Sequence, residues 1–430
     1  MINFLPVILG GDVGAYALAR EFNDAYGVKP ILVTAYNPLP IRDTAIARRH
    51  YCPGAAEEKP LVNDLASLGQ QLKQEDPGRT LILMANTEWR IQVLARNRQK
   101  LETWYQIPIP SLETIEKLND KESFENLAHQ VGIDTPLSFY QDFSASDQPD
   151  WKPQPLPQEL AFPLVAKPAQ SAEYEQLMFE GRKKVYRISS QEELEHLWST
   201  LRKAGFRGKF IAQQLIEGDD TQMYSITAYV NKKGAVSFMA SARVLLEEHH
   251  PATLGNPCAM ITTPISHILQ PAKRLLESVD YHGFANFDVK QDPHSGCFYF
   301  LEVNPRIGRN SFYCLGAGIN PMKEMTDDLL QVSQEADQGQ SPIQSSDGQT
   351  RVASGEILYC LIPHRLLKKY IQDPALLNQV NSLIRSHRTV DPLINPKDRS
   401  FKRRLYHWES GISHYRKFHT YYPKPTATGF

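Results

Sequence analysis

The stretch that most constrains this chain lies around residue 295. Phe284–Gln291 and Cys297–Val303 read as apolar strands on either side of a turn, Asp292-Pro293-His294-Ser295-Gly296. Residues two apart on a strand share a face, so Glu302 and Asn304 point the same way. Pairing Gln291 with Cys297 sets Asn286 opposite Glu302 and Asp288 opposite Phe300, leaving Asp288 one diagonal step from Glu302. Two carboxylates and an amide on one face, followed by Arg306, suit hard divalent cations that hold a phosphate chain. A solvated strand face is the alternative, but under this pairing Phe298 and Phe300 fall on the same face.

The first 110 residues alternate strand and helix. Leu5–Leu9 is a buried strand, Gly10-Gly11-Asp12-Val13-Gly14 a turn, and Ala15–Ala25 a helix, with further strands at Ile31–Thr34 and Thr80–Met84. This βαβ rhythm predicts a parallel sheet with ligand-facing loops at the strands' C-terminal ends, Asn86-Thr87-Glu88 among them. The glycines do not match GxGxxG, so a tight turn is preferred to a dinucleotide site. Beyond residue 110, Leu118–Gly132 reads as one amphipathic helix opened by Asn119-Asp120. Asp142–Glu159 is a loop, and strands recur at Leu164–Ala166, Lys209–Gln213, Ser225–Val230 and Val236–Ala240. Leu269–Ser278 is a helix, and the polar stretch Gln331–Thr350 a linker.

Composition bounds the class. The 430 residues carry 47 Lys and Arg against 48 Asp and Glu, a net charge of -1, which excludes collagen-like, coiled-coil and largely disordered chains. No apolar run reaches the roughly 18 residues of a membrane span, and no signal peptide is expected. Five cysteines without a Cys-x-x-Cys pair argue against a disulfide framework or a zinc site, so a cytoplasmic location is expected. The neutral total hides an asymmetry. From Leu361 onward 13 Lys and Arg face only Asp373, Asp391, Asp398 and Glu409, a charge of +9 against -10 for the rest. Phe401–Trp408 and His414–Tyr422 mix these cations with aromatics. That combination reads either as a solvated surface or as a docking surface for an anionic partner. Nucleic acid is not the expected partner, for no recognised motif accompanies it.

The motifs together resemble the ATP-grasp superfamily. Asn286-Phe287-Asp288 with Glu302-Val303-Asn304-Pro305-Arg306 is similar to its metal hairpin, and the run from Asn304 to Ser311 resembles the carbamoyl phosphate synthetase branch. Asp120-Lys121 with Gly132-Ile133-Asp134-Thr135-Pro136, then Phe162–Pro168 around Lys167, then Phe210–Asp220, match the family's remaining pieces in order. The resemblance implies an α/β and α+β architecture. Its parts are a parallel-sheet pre-ATP-grasp domain (1–110), a two-lobed ATP-grasp domain (lobes 111–208 and 209–330), a linker (331–350) and a basic C-terminal domain (351–430).

It also implies roles. Lys121 and Lys167 neutralise ATP phosphates. Gln213, Gln214 and Ile216 form the adenine hinge, and Asp220 takes the ribose hydroxyls. Asp288, Glu302 and Asn304 hold one or two Mg²⁺, or Mn²⁺ in their place. Arg306, with Asn286, stabilises the oxyanion at the attacked carbonyl. The segment after Lys167 departs from the family, lacking glycine until Gly181, so Lys183 and Lys184 are expected to close over the phosphates by their side chains.

The opening Pro6–Arg20, the loop Phe179–Tyr186 and the basic C-terminal region are similar to the D-aspartate ligases of Gram-positive cell-wall synthesis. That resemblance implies ATP-dependent joining of the β-carboxylate of D-aspartate to the lysine amine of a UDP-muramyl pentapeptide. Arg243 and Arg309 are the candidate clamps for the amino acid's second carboxylate, and the aromatic, basic tail is a surface for the pyrophosphate and uracil. Another amino-acid or dipeptide ligase, and a non-catalytic nucleotide-binding protein, remain alternatives.

Overall fold

The computed structural model describes residues 3–426 apart from 170–173, 175, 176, 184, 252, 332–342, 345–349 and 399. The predicted parallel sheet is present. It comprises β1 (Phe4–Leu9), β2 (Ile31–Thr34), β3 (Arg48–Tyr51), β4 (Thr80–Ala85) and β5 (Tyr105–Gln106), in the order β3-β2-β1-β4-β5 with every pairing parallel. Every residue of β1 is buried, as expected of a strand covered on both faces. Helix α1 (Val13–Tyr26) opens at the glycine turn, where the Asp12 carboxylate accepts the Ala15 amide, and α2 (Glu58–Glu75) packs on the other face. The outer side of α1 is not solvated. Tyr16 and Phe22 share a core with Tyr229, Phe238, Phe312 and Tyr359 from later in the chain, which fixes the first domain against the central one.

The helix expected over Leu118–Gly132 is two helices, α3 (Leu112–Asn119) and α4 (Lys121–Gln130). Asp120 breaks them apart by leaving helical geometry to accept the Ser123 amide at 2.9 Å, so Lys121 is the first residue of α4. Next come β6 (Ser138–Asp142), β7 (Leu164–Pro168), β8 (Tyr186–Ile188) and β9 (Lys209–Gln214), a four-stranded antiparallel sheet ordered β6-β9-β7-β8. A lobe boundary at 208/209 therefore fails, because β9 lies in the middle of this sheet.

A larger sheet forms the opposing wall. It contains β10 (Met223–Val230), β11 (Val236–Glu247), β12 (Pro257–Thr262), β13 (Gly283–Gln291) and β14 (Phe298–Asn304), with α5 (Ser266–Glu277) and α4 on its apolar face and α6 (Pro321–Leu330) toward α1. The region beyond 350 does not stand apart either. β15 (Leu358–Cys360) pairs with β12 and β16 (Thr389–Val390) with β15, so the large sheet runs into the basic region, which adds α7 (His364–Tyr370), α8 (Pro374–Arg385) and α9 (Phe401–Tyr421). Most of the expected linker lies outside the described residues.

Buried polar groups tie this region back to α1. Arg20 donates to the carbonyls of Asp391, Pro392 and Ile394, and Tyr16 donates to Asp398. Arg403 is buried. It donates to the carbonyls of Leu39, Pro40 and Arg42 and lies 3.5 Å from Asp398. It is a fold-holding residue, not a free cation for an anionic ligand. No helix is long and apolar enough to cross a membrane among the described residues.

Candidate active site

The cleft between the two sheets collects most of the predicted residues. On the large sheet, β13 and β14 pair in a register that differs from the expected one. Gln291 pairs with Phe298, and a bulge at Leu301 shifts the ladder again, so Asp288 faces Glu302 directly and Asn286 faces Asn304. The bulge also reverses the parity of β14. Phe300 turns to the core, ring to ring with Phe287 at 5.9 Å, while Glu302 and Asn304 share the site face with Asp288. The contacts among these groups are long. Asn304 Nδ2 lies 3.4 Å from Asp288 and 3.2 Å from Glu302, and Asn286 Nδ2 lies 3.4 Å from Asp288.

Electrostatics set the two carboxylates apart. Burial and the facing Glu302 push Asp288 well above the usual carboxylate range. Burial also opposes the charge on Glu302, but Lys121 and Lys167 outweigh it and hold that carboxyl low. Lys121 Nζ is 4.0 Å from Glu302. Lys167, on β7 across the cleft, is pushed down to about 7, first by burial and then by Lys121 beside it. Acidic and basic walls thus face each other with few short contacts.

The segment after β14 meets the first domain. Arg306 Nη2 donates to Asn304 Oδ1 at 3.1 Å and Nη1 to the Ile307 carbonyl at 3.2 Å, while its Nε is buried without a partner. Gly308 is a glycine because a Cβ there would stand 2.5 Å from Asn286 Oδ1. Arg309 lies 3.3 Å from Asp12, whose other oxygen accepts Asn86 Nδ2 at 3.1 Å. At Gly14 a Cβ would stand 3.0 Å from the Arg309 backbone, so only glycine lets the first domain approach this loop so closely.

No protein-family model matches the chain. Among solved structures, the L-amino acid ligase of Bacillus licheniformis is similar at TM-score 0.50 and 18% identity, covering 76% of this chain and 75% of that one. The biotin carboxylase domain of Hydrogenobacter thermophilus 2-oxoglutarate carboxylase, in complex with MgADP, ADP and bicarbonate, is similar at TM-score 0.53 and 15% identity, covering 79% of this chain and 72% of that one. A D-aspartate ligase from Enterococcus faecium (strain Aus0004) is 28% identical over 421 residues, 97% of each protein. The chain shares the fold of these ligases and carboxylases, and its likeness to the D-aspartate ligase runs from end to end.

Against the needs of an ATP-grasp ligase, the residues divide. Asp288, Glu302 and Asn304 fit a Mg²⁺ ion only together with nucleotide phosphates. Among the described residues no group of three His, Cys, Asp or Glu could hold a metal alone, and Mg²⁺ characteristically takes one or two carboxylates and completes its shell with phosphate and water. The facing carboxylates, Asp288 half-buried and Glu302 open to the cleft, fit that demand.

The hinge residues are partly spent. Gln213 is buried and its side chain donates to Ser138, while the Gln214 amide donates to the Leu137 carbonyl. The Ile216 amide has no partner among the described residues. Asp220 is buried, and one oxygen of its carboxylate, Oδ2, accepts the Glu247 amide at 2.9 Å and lies 3.0 Å from His249 Nε2.

Arg243 is not a clamp. It pairs with Tyr224, beside Val289 on the core face, and its Nε donates to the Thr221 carbonyl at 2.7 Å. Lys183 is exposed, with its amide donating to the Tyr186 hydroxyl, and Lys184 lies outside the described residues. Sequence reasoning missed Lys290, which shares the Asp288 face and donates to the Gly218 carbonyl at 2.9 Å. The two-residue strand period was signal enough to find it.

Proposed function

We propose that this ligase joins the β-carboxylate of D-aspartate to the lysine side-chain amine of a UDP-linked muramyl pentapeptide, in the cytoplasm and with ATP and Mg²⁺. The observation that carries the reading is the end-to-end likeness to D-aspartate ligase. The two arginines of the 306–309 loop support it, for a dicarboxylic substrate needs one guanidinium at each end.

In the proposed reaction the β-carboxylate oxygen attacks the γ-phosphorus of ATP, the bond to the bridging oxygen breaks, and ADP leaves. The amine then attacks the acyl carbon, phosphate departs, and the amine's proton goes to solvent. Lys121 and Lys167 balance phosphate charge as the γ-group moves. Asp288, Glu302 and Asn304 would seat one or two Mg²⁺, which neutralise the β- and γ-phosphates when bound. The unpartnered Arg306 Nε, with Asn286 fixing the loop through Gly308, donates to the oxyanion that develops on the attacked carbonyl. Arg309 releases Asp12 to take the second carboxylate, at the mouth closed by the first domain, where water is kept from the acyl phosphate.

The test is ATP-dependent phosphate release against a panel of D- and L-amino acids, with and without the UDP-linked pentapeptide. D-aspartate should give the strongest signal, rising further with the acceptor. A stronger signal from another amino acid would reassign the substrate within the same ligase chemistry.

A further inference from the structure

The C-terminal helix α9 presents an apolar face that the reaction does not use. Of the twelve large hydrophobic side chains exposed among the described residues, six (Ile394, Phe401, Leu405, Trp408, Tyr415 and Tyr421) fall in the last part of the chain. Phe401 is 79% exposed, Trp408 63%, Ile394 61% and Leu405 43%, fractions that isolated surface residues of this size seldom combine in one place.

Their spacing makes them a stripe. Phe401, Leu405, Trp408, Ile412 and Tyr415 recur at four- and three-residue steps, one face of a helix over about 21 Å of its length. The opposite face carries Arg403, His414 and Phe418, all buried against the body. Beside the stripe opens a cavity of about 500 Å³ lined by Trp408 and Tyr415 together with Ile394, Ile362 and Val390.

Cations flank this stripe. Lys402, Arg404 and Arg416 are exposed and form no ion pair among the described residues, and Glu409 is the helix's only acid. An apolar band of Phe, Leu and Trp bordered by unpaired Lys and Arg is matched by a surface that offers hydrocarbon beneath anionic phosphate. A soluble nucleotide could use the cations but would leave the apolar band of Phe401, Leu405 and Trp408 uncovered. We propose that α9 docks the enzyme on an anionic phospholipid surface, with Phe401, Leu405 and Trp408 entering the headgroup–acyl boundary and Lys402, Arg404 and Arg416 meeting the phosphates.

The test is co-sedimentation of the full chain with vesicles of phosphatidylcholine alone or with about one third phosphatidylglycerol. Binding should be at least tenfold tighter to the anionic vesicles and weaken with salt. Phe401→Ser with Trp408→Ser should lower it at least tenfold, with the melting temperature and phosphate release in solution unchanged. Lys402→Glu with Arg404→Glu should lower binding to anionic vesicles by a similar factor and leave binding to neutral ones as it was. No partition of the wild type, equal affinity for both vesicles, or unchanged binding by both variants would overturn the proposal. So would conversion of a dimer to a monomer in light scattering by the stripe variants, which would assign the face to a second copy. A raised KM for the UDP-linked acceptor with vesicle binding intact would overturn it too, and assign the face to substrate.

Discussion

The β13–β14 hairpin and the C-terminal region are both rich in charge, and they use it in opposite ways. On β13–β14, Asp288, Glu302 and Asn304 touch one another only at 3.2–3.4 Å, and Arg306 keeps a buried Nε with no partner. In the C-terminal region, Arg403 makes three carbonyl contacts at 2.8–3.1 Å besides its pairing with Asp398, and Arg20 makes three more. Buried charge is costly unless paired. Where the chain supplies the partners, the charge holds the fold together. Where it does not, as at Arg306 Nε, the group is left without a partner from the chain. Density of charge in a sequence therefore says less about function than whether the folded chain has already satisfied it.

Substitutions in the two regions should separate turnover from stability. Glu302→Gln is expected to lower kcat by about 10³-fold, several kcal/mol of lost transition-state stabilisation, with a cooperative melt like that of the wild type. Near-normal turnover would remove the hairpin from the chemistry. Arg309→Ala should raise the KM for the amino acid about 30-fold, as for loss of a charge-assisted contact, whereas Arg243→Ala should change it less than about twofold. Reversal of that order would show that the guanidinium bonded to Thr221 swings into the cleft. Arg403→Ala should cost about 2 kcal/mol in urea unfolding with kcat unchanged, and Arg404→Ala less than about 0.5 kcal/mol.

The smallest effect is a proton. Lys167 is held at about 7 in the folded protein against 10.5 ordinarily. Between those values the unfolded chain binds a proton that the folded one has released, so this group's contribution to stability rises with pH across that window. Phosphates arriving beside Lys167 should draw the proton back. At pH 8, ATP binding should take up close to one proton in wild type and much less in Lys167→Met, read by calorimetry in buffers of different ionisation heat. Equal uptake in both would place the charge elsewhere.

This contrast also marks what was legible beforehand. β1, β2, the turn at 292–296 and the shared face of Glu302 and Asn304 follow from local pattern, because strand periodicity and turn chemistry act within a few residues. The register of the hairpin did not, since the bulge at Leu301 is set by Phe300 packing on Phe287, a contact that no spacing rule reveals. The partners that hold Asp220, Arg243 and Arg403 within the fold were hidden for the same reason. They lie 27, 22 and more than 360 residues away, at Glu247, Thr221 and Leu39–Arg42. Residue type announced charge, while long-range packing decided where it was spent.

The most direct test of the cleft's chemistry is trapping of the activated carboxylate. Wild-type protein incubated with ATP, Mg²⁺ and D-aspartate, without acceptor but with hydroxylamine, should yield aspartyl β-hydroxamate with matching release of phosphate, and Glu302→Gln should yield almost none. Turnover with the UDP-linked acceptor but no hydroxamate under any condition would contradict an acyl phosphate formed between the two charged walls.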